Sequence, residues 1–328
     1  MSRRIAFLTG GTGFVGGHVA RALCAQGWAV RALSRKAPDF PPDLPIEVVA
    51  GDLSERSHEV LRGALRGCEA IVHVAGLVKA RSLQDYRDVN VAGTQRLLTA
   101  GKDSAREALF LLVSSQAASG PAREGRPIRE EDTPRPVSWY GLSKLEAEEE
   151  VAREWQGPWL VLRPGVVFGP GDRGLLTLFA AASRGWVPAP AASRRIQIIH
   201  SSRAAMGIAR AAERPDLSGK RGFLCDPDPI TVGSFAAAIA RLPERPARLV
   251  PVPDLLVRLA GAVETLREAV TGRSRPFNAD KAREILAGDW LCKPAMMQRH
   301  LDLPPPTPLE DALREMWNWY RQHRWLPL

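Results

Sequence analysis

The feature that most constrains the fold is a glycine-rich turn near the N-terminus, placed between a short apolar run and a helical pattern. The turn Thr9-Gly10-Gly11-Thr12-Gly13-Phe14-Val15-Gly16-Gly17 follows a strand predicted at Arg4 to Thr9 and opens a helix predicted at Phe14 to Gln26. Glycine permits a tight turn and close backbone approach to a diphosphate, and a helix N-terminus attracts negative charge. The turn therefore predicts a dinucleotide-binding site that includes Gly10, Gly13, Phe14, Val15 and Gly16.

Further strands alternate with helical stretches along the first half of the chain. Apolar runs of strand length occur at Trp28 to Leu33, Ile46 to Ala50, Ala70 to Val74 and Leu109 to Val113. This alternation predicts an α/β fold, a doubly wound parallel sheet with helices on both faces. Ligands of such sheets collect at the carboxyl ends of the strands, where Asp52 and Ala75 stand.

The end of the second predicted strand bears on the choice of cofactor. It reads Ser34-Arg35-Lys36. An enzyme that uses NAD usually carries an Asp or Glu here to accept a hydrogen bond from the adenosine ribose, whereas a basic residue suits the 2′-phosphate of NADP. Arg35 therefore indicates NADP, with NAD still possible. The competing interpretation is that Arg35 is simply a solvent-exposed residue at the end of the strand.

A Tyr and a Lys stand four residues apart where a later helical pattern begins, in Ser138-Trp139-Tyr140-Gly141-Leu142-Ser143-Lys144. Residues at this spacing lie one turn apart on the same face of a helix. A phenol near an ammonium group is easier to deprotonate, so Tyr140 is a candidate acid/base for a reaction at an alcohol or carbonyl carbon. Taken alone, the pair is more typical of a surface helix contact.

Seven short motifs follow one another along the chain. They are Thr9-Gly10-x-x-Gly13-x-x-Gly16, Gly51-Asp52-Leu53, His73-Val74-Ala75, Asn90-Val91-x-Gly93-Thr94, Ser114-Ser115, Tyr140-x-x-x-Lys144 and Arg163-Pro164. In these motifs and their order the chain resembles, from its N-terminus to about residue 200, the extended short-chain dehydrogenase/reductase superfamily, which includes the NAD-dependent epimerase/dehydratase family. The resemblance implies a Rossmann fold with a smaller C-terminal substrate-binding lobe.

The resemblance also implies roles for individual side chains. Tyr140 would be the catalytic acid/base, Lys144 would lower the pKa of its phenol and hold the nicotinamide ribose, and Ser115 would hydrogen-bond the substrate oxygen. Asn90 matches an Asn that supports the Lys through water, and a buried structural amide is the competing interpretation.

The remaining positions that the resemblance assigns to the cofactor lie at strand ends. Asp52 and Leu53 would contact the adenine, and the loop from His73 through Ala75 and Gly76 would lie beside the pyrophosphate and ribose. His73 itself is interpreted as packed rather than reactive. A wall near the nicotinamide is assigned to Pro164, Val166 and Val167.

Departures from subfamily patterns narrow the reaction. Gln116 and Ala117 stand where nucleotide-sugar dehydratases of the superfamily carry an Asp-Glu pair, so dehydration is disfavoured. Val166 stands where nucleotide-sugar epimerases commonly carry an Asn that meets the sugar nucleotide's diphosphate. An apolar lining suits an apolar substrate. The pattern is most similar to the 3β-hydroxysteroid dehydrogenase and dihydroflavonol-reductase branch.

The second half carries weaker signals. We assign residues 1–170 to the NADP-binding domain and 171–328 mainly to the substrate-binding lobe, with some elements returning to the sheet. Ile196 to His200 resembles a strand, and Ser201-Ser202-Arg203 departs from a family pattern that carries an Asp. Leu255 to Ala269 is predicted as an amphipathic helix; such helices can lie on membranes, but packing on its own protein is favoured. A last helix is predicted at Leu309 to His323, with its aromatic residues in a core.

Composition excludes several classes of function. The net charge is +9, but the Arg residues are spread along the 328-residue chain, so nucleic-acid binding is not favoured. Four cysteines without paired spacing suggest neither a metal site nor a disulfide framework. No apolar run is long enough for a membrane span, and the first run is too short for a secretory signal, so a cytoplasmic location is expected.

These observations predict an oxidoreductase that uses NADP to interconvert a hydroxyl and a keto group on an apolar small molecule, with a homodimer possible. The helices predicted at Gln84 to Gly101 and Trp139 to Trp155 are the usual dimer faces in the resembling family. One alternative is a sugar epimerase with a transient keto intermediate. Another is a sensor or scaffold that binds NADPH without turnover.

Overall fold

The computed structural model describes residues 3–36, 40–272 and 277–326. Within these ranges the strands, in chain order, are β1 (Ile5–Thr9), β2 (Ala29–Ser34), β3 (Ile46–Ala50), β4 (Ala70–His73), β5 (Leu109–Val113), β6 (Trp159–Pro164), β7 (Val166–Phe168), β8 (Trp186–Pro190), β9 (Arg195–Ile196), β10 (Ile198–His200), β11 (Lys220–Leu224), β12 (Ile230–Thr231) and β13 (Arg248–Val252). The helices are α1 (Phe14–Ala25), α2 (His58–Leu65), α3 (Leu83–Tyr86), α4 (Ala92–Ser104), α5 (Trp139–Glu154), α6 (Leu176–Ser183), α7 (Ser201–Ala211), α8 (Val232–Ala240), α9 (Asp254–Thr271), α10 (Ala279–Leu286), α11 (Ala295–His300) and α12 (Leu309–Gln322).

A parallel sheet organises the molecule. Seven strands of the described chain form it in the order β11-β6-β5-β4-β1-β2-β3, with every neighbouring pair parallel. Chain order reverses beside β1, because β2 and β4 lie on its two sides. A crevice opens at the carboxyl ends of the strands at such a reversal, and this is where ligands of doubly wound sheets bind. The fold is the predicted Rossmann fold.

Helices cover both faces of the sheet because the strands are apolar on both sides. On one face α1 and α7 pack through Val19, Leu23 and Ile208, all fully buried. On the other face α2, α4 and α5 contribute Leu61, Leu97 and Val151. The strands themselves are buried along almost their whole length in β4 and β5. This double covering is what a parallel sheet requires.

The helix predicted continuously from Gln84 to Gly101 is interrupted in the structure. A π-helical turn, Arg87–Val91, separates α3 from α4. It contains Asn90, whose carbonyl oxygen accepts a hydrogen bond from the Thr94 hydroxyl at 2.6 Å and whose side chain bonds outside the helix to Leu77. Wide turns of this kind are frequent at functional sites. The prediction of one regular helix was wrong at this turn.

The strand predicted at Ile196 to His200 is likewise divided, into β9 and β10. The break falls at Gln197, whose side-chain nitrogen donates to the carbonyl oxygens of Asp226 and Pro227 at 3.0 and 3.2 Å. Each half then pairs with a different partner, β9 with β12 and β10 with β7. The C-terminal lobe is thus built from short two-stranded sheets rather than from one continuous sheet.

A separate core fills the C-terminal lobe. It joins α6, α8 and α12 through residues such as Phe179, Phe235 and Met316. Trp317 and Tyr320 lie buried in it, and Trp319 and Trp325 pack against its edge. The aromatic residues of the last helix are therefore core residues, as predicted. No helix in the described ranges has both the length and the hydropathy to cross a bilayer.

Candidate active site

The glycine-rich turn has the close backbone approaches that its sequence predicts. Gly10 has φ +75°, and a Cβ there would lie 2.6 Å from the backbone nitrogen of Ala75; a Cβ on Gly16 would lie 2.0 Å from the Gly10 carbonyl oxygen. Neither contact is possible for a side chain. Helix α1 begins at Phe14 with no side-chain cap and no acidic residue in its first turn. The N–H groups of this turn lack acceptors within the helix, and they fit the diphosphate of a dinucleotide.

Asp52 and Arg35 lie near each other beside the carboxyl ends of β2 and β3. Hydrogen bonds from Ser54 and Ser57 hold the pKa of the Asp52 carboxyl below its usual value, and the charge of Arg35 adds to this lowering. The same Asp52 oxygen accepts from both residues at 2.9 Å. Arg35 itself is exposed. These are the two positions that the sequence analysis assigned to the adenosine part of the cofactor.

His73 joins three elements at the centre of the crevice. The Thr94 hydroxyl gives its hydrogen to Asn90, so it accepts from His73 Nε2 at 3.0 Å. His73 Nδ1 is then an acceptor for the Thr9 hydroxyl at 2.6 Å, and Thr9 accepts from the Ala75 N–H at 3.2 Å. Burial, helped by the charge of Lys144, lowers the pKa of His73 to about 3. His73 is therefore a neutral packed residue, as interpreted from the sequence.

Asn90 is buried and fixes the loop after β4. Its oxygen accepts from the Leu77 N–H at 2.7 Å, and its nitrogen donates to the Leu77 carbonyl at 3.1 Å and to the Ser143 hydroxyl at 2.9 Å. A Cβ on Gly76 would lie 3.2 Å from the Asn90 oxygen and 3.5 Å from Lys144 Nζ. The structure thus places Asn90 near Lys144, but the direct hydrogen bonds of the Asn90 side chain are to Leu77 and Ser143.

Ser115 and Tyr140 meet at the carboxyl end of β5. The Ser115 oxygen accepts from the Ala117 N–H at 3.1 Å, and Ser115 hydrogen-bonds the Tyr140 phenol, which lowers the pKa of the phenol. Burial is the larger effect and raises that pKa to about 12. We expected Lys144 to lower it, and the lowering found here comes instead from Ser115. The phenol therefore keeps its proton at neutral pH.

Lys144 is buried one turn along α5 from Tyr140. Its Nζ donates to the Val113 carbonyl oxygen at 2.8 Å. Burial lowers the pKa of Lys144 to about 8, and the charge of Glu148 opposes this shift. One of its three N–H donors is used by Val113, so two remain for a ligand beside Gly76. This fits the predicted contact with a ribose.

Glu148 is a buried residue that the sequence analysis missed. It lies one turn beyond Lys144 on α5 and forms a bidentate ion pair with Arg163, with distances of 2.6 and 2.9 Å, while the two side chains are 0% and 1% exposed. The Ser114 hydroxyl also donates to it at 2.5 Å. Buried ion pairs require this kind of full hydrogen bonding. The ion pair fixes α5 on β6. In the sequence, the Arg163-Pro164 motif was the signal from which this pair could have been found.

The start of α5 is held by a helix from the far end of the chain. The Trp139 N–H donates to both Asp280 oxygens at 3.0 and 3.1 Å, and the Ser138 hydroxyl donates to Glu284 at 2.9 Å. Both carboxylates belong to α10. Glu284 also raises the pKa of Tyr140 through its charge. Sequence analysis did not identify these residues, because nothing local marks a contact across more than 130 positions.

The wall assigned to the nicotinamide follows β6. Pro164 is buried at the end of that strand, and Val166 and Val167 open β7, with Val166 39% exposed. Gln116 and Ala117, which replace the dehydratase pair, lie buried in a short turn after Ser115. Among the described positions the crevice therefore combines a polar centre with an apolar Val166.

Residues 6–220, about two thirds of the chain, match the model of the NAD dependent epimerase/dehydratase family. The chain belongs to this family. It is accordingly an NAD(P)-dependent oxidoreductase of the extended short-chain dehydrogenase/reductase type.

Two relatives of this family member are reductases. It is 33% identical over 329 residues to a ceramide reductase from Caulobacter vibrioides, covering 99% of this chain and 97% of the relative. It is 30% identical to 4-hydroxy-2-methyl-3-oxo-4-farnesyl-3,4-dihydroquinoline-1-oxide ketoreductase from Stigmatella aurantiaca, covering 85% and 90%. A solved structure of MoeE5 in complex with UDP-glucose and NAD has a TM-score of 0.76 at 22% identity, covering 97% and 99%, and shares the fold.

Proposed function

We propose that this protein uses NADPH to reduce a ketone on a molecule with a long hydrocarbon chain. The observation that carries the proposal is the partly buried, hydrogen-bonded pair of Ser115, after β5, and Tyr140, at the start of α5. Because the pKa of Tyr140 is about 12, its phenol is protonated at neutral pH and suited to give a proton to a carbonyl oxygen. Oxidation of the alcohol is the reverse of the same step.

Each side chain contributes a separate function. The first turn of α1 would hold the cofactor's diphosphate, and Arg35 its 2′-phosphate. When bound, the nicotinamide supplies the hydride that the carbonyl carbon receives. The Ser115 hydroxyl would orient the carbonyl oxygen, and Tyr140 would donate its phenolic proton to that oxygen, which completes the alcohol. The Lys144 ammonium would then stabilise the resulting phenolate.

The proposed substrate class rests on Val166, in the wall assigned to the nicotinamide, and on the two reductases to which the chain is similar. Val166 provides an apolar, partly exposed surface where a sugar nucleotide's diphosphate would need a polar partner. The two relatives described above are named for a ceramide and for a farnesyl-bearing 3-oxo compound. Both names denote molecules with long apolar chains. A ketone in a ceramide-like lipid is the substrate that best combines these observations.

A steady-state assay of the purified protein tests this proposal. NADPH oxidation is followed with a ceramide-type ketone in detergent micelles, with a short water-soluble ketone of the same head structure, and with a nucleotide sugar. We expect the long-chain ketone to have the highest kcat/KM. Interconversion of the nucleotide sugar without net absorbance change would contradict the proposal and indicate an epimerase. Binding of NADPH without turnover of any compound would indicate a sensor.

The preference for NADP has its own test in Arg35→Asp. The substitution replaces a cation near the 2′-phosphate by an anion, so we expect the ratio of kcat/KM for NADPH to that for NADH to fall roughly 10- to 100-fold. Arg106→Asp is the matched control, because Arg106 is also exposed but precedes β5 and so lies at the amino ends of the strands, away from the crevice. An unchanged ratio in Arg35→Asp would place the 2′-phosphate elsewhere.

A further inference from the structure

Helix α9 packs on the rest of the protein through its less apolar face, although its sequence pattern predicts that this face is exposed to solvent. Its buried residues are Val257, Gly261 and Glu268. The opposite face carries an apolar stripe of Leu255, Leu259, Val263, Leu266 and Val270, which are between 50% and 80% exposed. At 3.6 residues per turn, the stripe occupies an arc of about 80°. Isolated exposed leucines are ordinary, but a contiguous stripe marks a contact surface.

Exposed apolar residues also lie on β8 and on β13, the strand that precedes α9. Leu249 and Val250 of β13 are 38% and 36% exposed, and Trp186 of β8 is 46% exposed. Arg248 pairs with Trp186 in the register of these two strands. A Trp beside an Arg is a common arrangement where a protein meets the headgroup region of a bilayer.

Positive charge surrounds this surface. Arg184, Arg245, Arg248 and Arg258 are exposed, and in the described part of the chain none of them forms an ion pair with a carboxylate. The nearby acidic groups of α9 are already engaged, Asp254 with Arg194 at 3.0 Å and Glu264 with Arg267. The local charge therefore complements an anionic surface.

The charge also distinguishes between two occupants. A second copy docked through the same face would bring Arg248 and Arg258 of both copies together around an apolar contact, and like charges there oppose association. A bilayer with anionic lipids instead offers hydrocarbon for the stripe and phosphates for the arginines. The lipid surface satisfies both features at once.

The buried face of α9, opposite the stripe, is connected to the active site through α10. Helix α10 packs on α9 through Gly261, where a Cβ would lie 2.8 Å from the Ala282 side chain, and it holds the start of α5 through Asp280. Asn278, which precedes α10 and also lies against Gly261, donates to the Ala80 carbonyl in the loop that Asn90 anchors at Leu77. Val78 in this loop is 68% exposed.

From these contacts we infer that the apolar stripe of α9, with Trp186, Leu249 and Val250, docks on an anionic lipid bilayer and turns the mouth of the crevice toward it. The docking rests on the exposed surface alone. It goes beyond the proposed function, for which it would provide a route from the bilayer to Tyr140 for a lipid ketone.

Vesicle co-sedimentation of the full chain tests the docking. Phosphatidylcholine vesicles with and without phosphatidylglycerol are compared for the wild type, Leu266→Glu and Val60→Glu. Val60 is the matched control, an exposed apolar residue of α2 at 42% exposure. We expect Leu266→Glu to lower partitioning onto anionic vesicles by roughly tenfold or more, and Val60→Glu to change it less than about twofold. Arg258→Gln should lower it about fivefold on anionic vesicles only.

Separate readouts distinguish this inference from the proposed function. NADPH binding and reduction of a water-soluble ketone are measured without vesicles, and Leu266→Glu should leave both unchanged. Absence of ketone turnover in the wild type would overturn the function and leave the vesicle result standing. Equal binding to both vesicle types, or full binding by Leu266→Glu, would overturn the docking. So would a wild-type dimer in sedimentation equilibrium that Leu266→Glu alone converts to monomer.

Discussion

The side of the crevice that we propose for the cofactor and the side that we propose for the substrate are assembled differently; they are called the cofactor side and the substrate side below. On the cofactor side the polar groups bond to neighbours in adjoining strands and helices, as Thr9, His73 and Thr94 do. On the substrate side the catalytic helix depends on Asp280, 141 positions after Trp139. The cofactor side therefore reflects contacts within one supersecondary unit. The substrate side can change its helices without disturbing the sheet, which suits a fold that serves many substrates.

Tyr140 stands where the two sides meet, and its removal should have the largest effect. We expect Tyr140→Phe to lower kcat about 1000-fold, because the proton donor is lost, while the dissociation constant for NADPH changes less than about twofold. Stopped-flow turnover and fluorescence titration measure the two quantities.

Tyr86→Phe is the control for this variant. The Tyr86 ring lies 6.0 Å from that of Tyr140, and the Tyr86 hydroxyl bonds to the Val78 carbonyl at 3.4 Å and to the backbone of Ala80. Its loss should reduce kcat by no more than a few fold. More than a tenth of wild-type activity in Tyr140→Phe would remove that residue from the mechanism.

Lys144 lies on α5 but is proposed to contact the cofactor, and it tests whether that contact lowers the stability of the fold. Its pKa is about 8 in the folded protein against 10.5 for an unperturbed lysine, so its charge destabilises the fold at neutral pH. We expect Lys144→Met to remove about 3 kcal/mol of this cost and to lose about 1 kcal/mol with the bond to Val113, a net gain of about 2 kcal/mol at pH 7. Turnover should fall sharply.

The pH dependence of urea unfolding shows the sign of this effect. The unfolding free energy that the wild type loses through Lys144 is lost in full below pH 8. The loss shrinks as the pH rises toward 10.5, because only the unfolded chain still binds the proton there. Lys102→Met is the control, since Lys102 is a partly exposed lysine paired with Glu154. A Lys144→Met protein less stable than the wild type at pH 7 would contradict the prediction.

Asp280 tests the substrate side and should give the smallest effect. Asp280→Ala leaves the Trp139 N–H without its acceptor, so we expect a loss of about 1 to 2 kcal/mol in unfolding free energy and a several-fold lower kcat. Asp280→Asn should recover most of both quantities, because burial raises the pKa of this carboxyl and its charge is therefore not favoured. Equal losses of unfolding free energy and kcat in Asp280→Ala and Asp280→Asn would show that the negative charge of Asp280 is required.

The sequence predicts the parts of the fold that local patterns determine. The bounds of β3 and β5 were predicted to the residue. The turn from Gly10 to Gly16 joins β1 to α1, and Tyr140 and Lys144 lie one turn apart on α5, as their spacing predicts. The π-helical turn at Asn90 was missed because its cause is a bond to Leu77 across a loop. The pKa of Tyr140 was misjudged because spacing shows the nearby lysine but not the burial.

The outward orientation of α9 illustrates the same limit. Its periodicity predicts an amphipathic helix, and the helix extends from Asp254 to Thr271. Periodicity identifies the apolar face but not the partner that covers it. That choice depends on Gly261, which lets Ala282 approach closely, and on Asn278, which hydrogen-bonds the buried Glu268.

The hydrogen-bonded state of His73 has a consequence for how the protein responds to acid. An imidazole beside a diphosphate would ordinarily gain charge between pH 7 and 5 and tighten its hold on the cofactor as it did so. With a pKa of about 3 and both nitrogens committed to threonines, this ring stays uncharged throughout that interval. The ring therefore brings no change of charge to the centre of the crevice over this interval, and a pH dependence of cofactor affinity would come from other groups, such as Lys144 with its pKa of about 8.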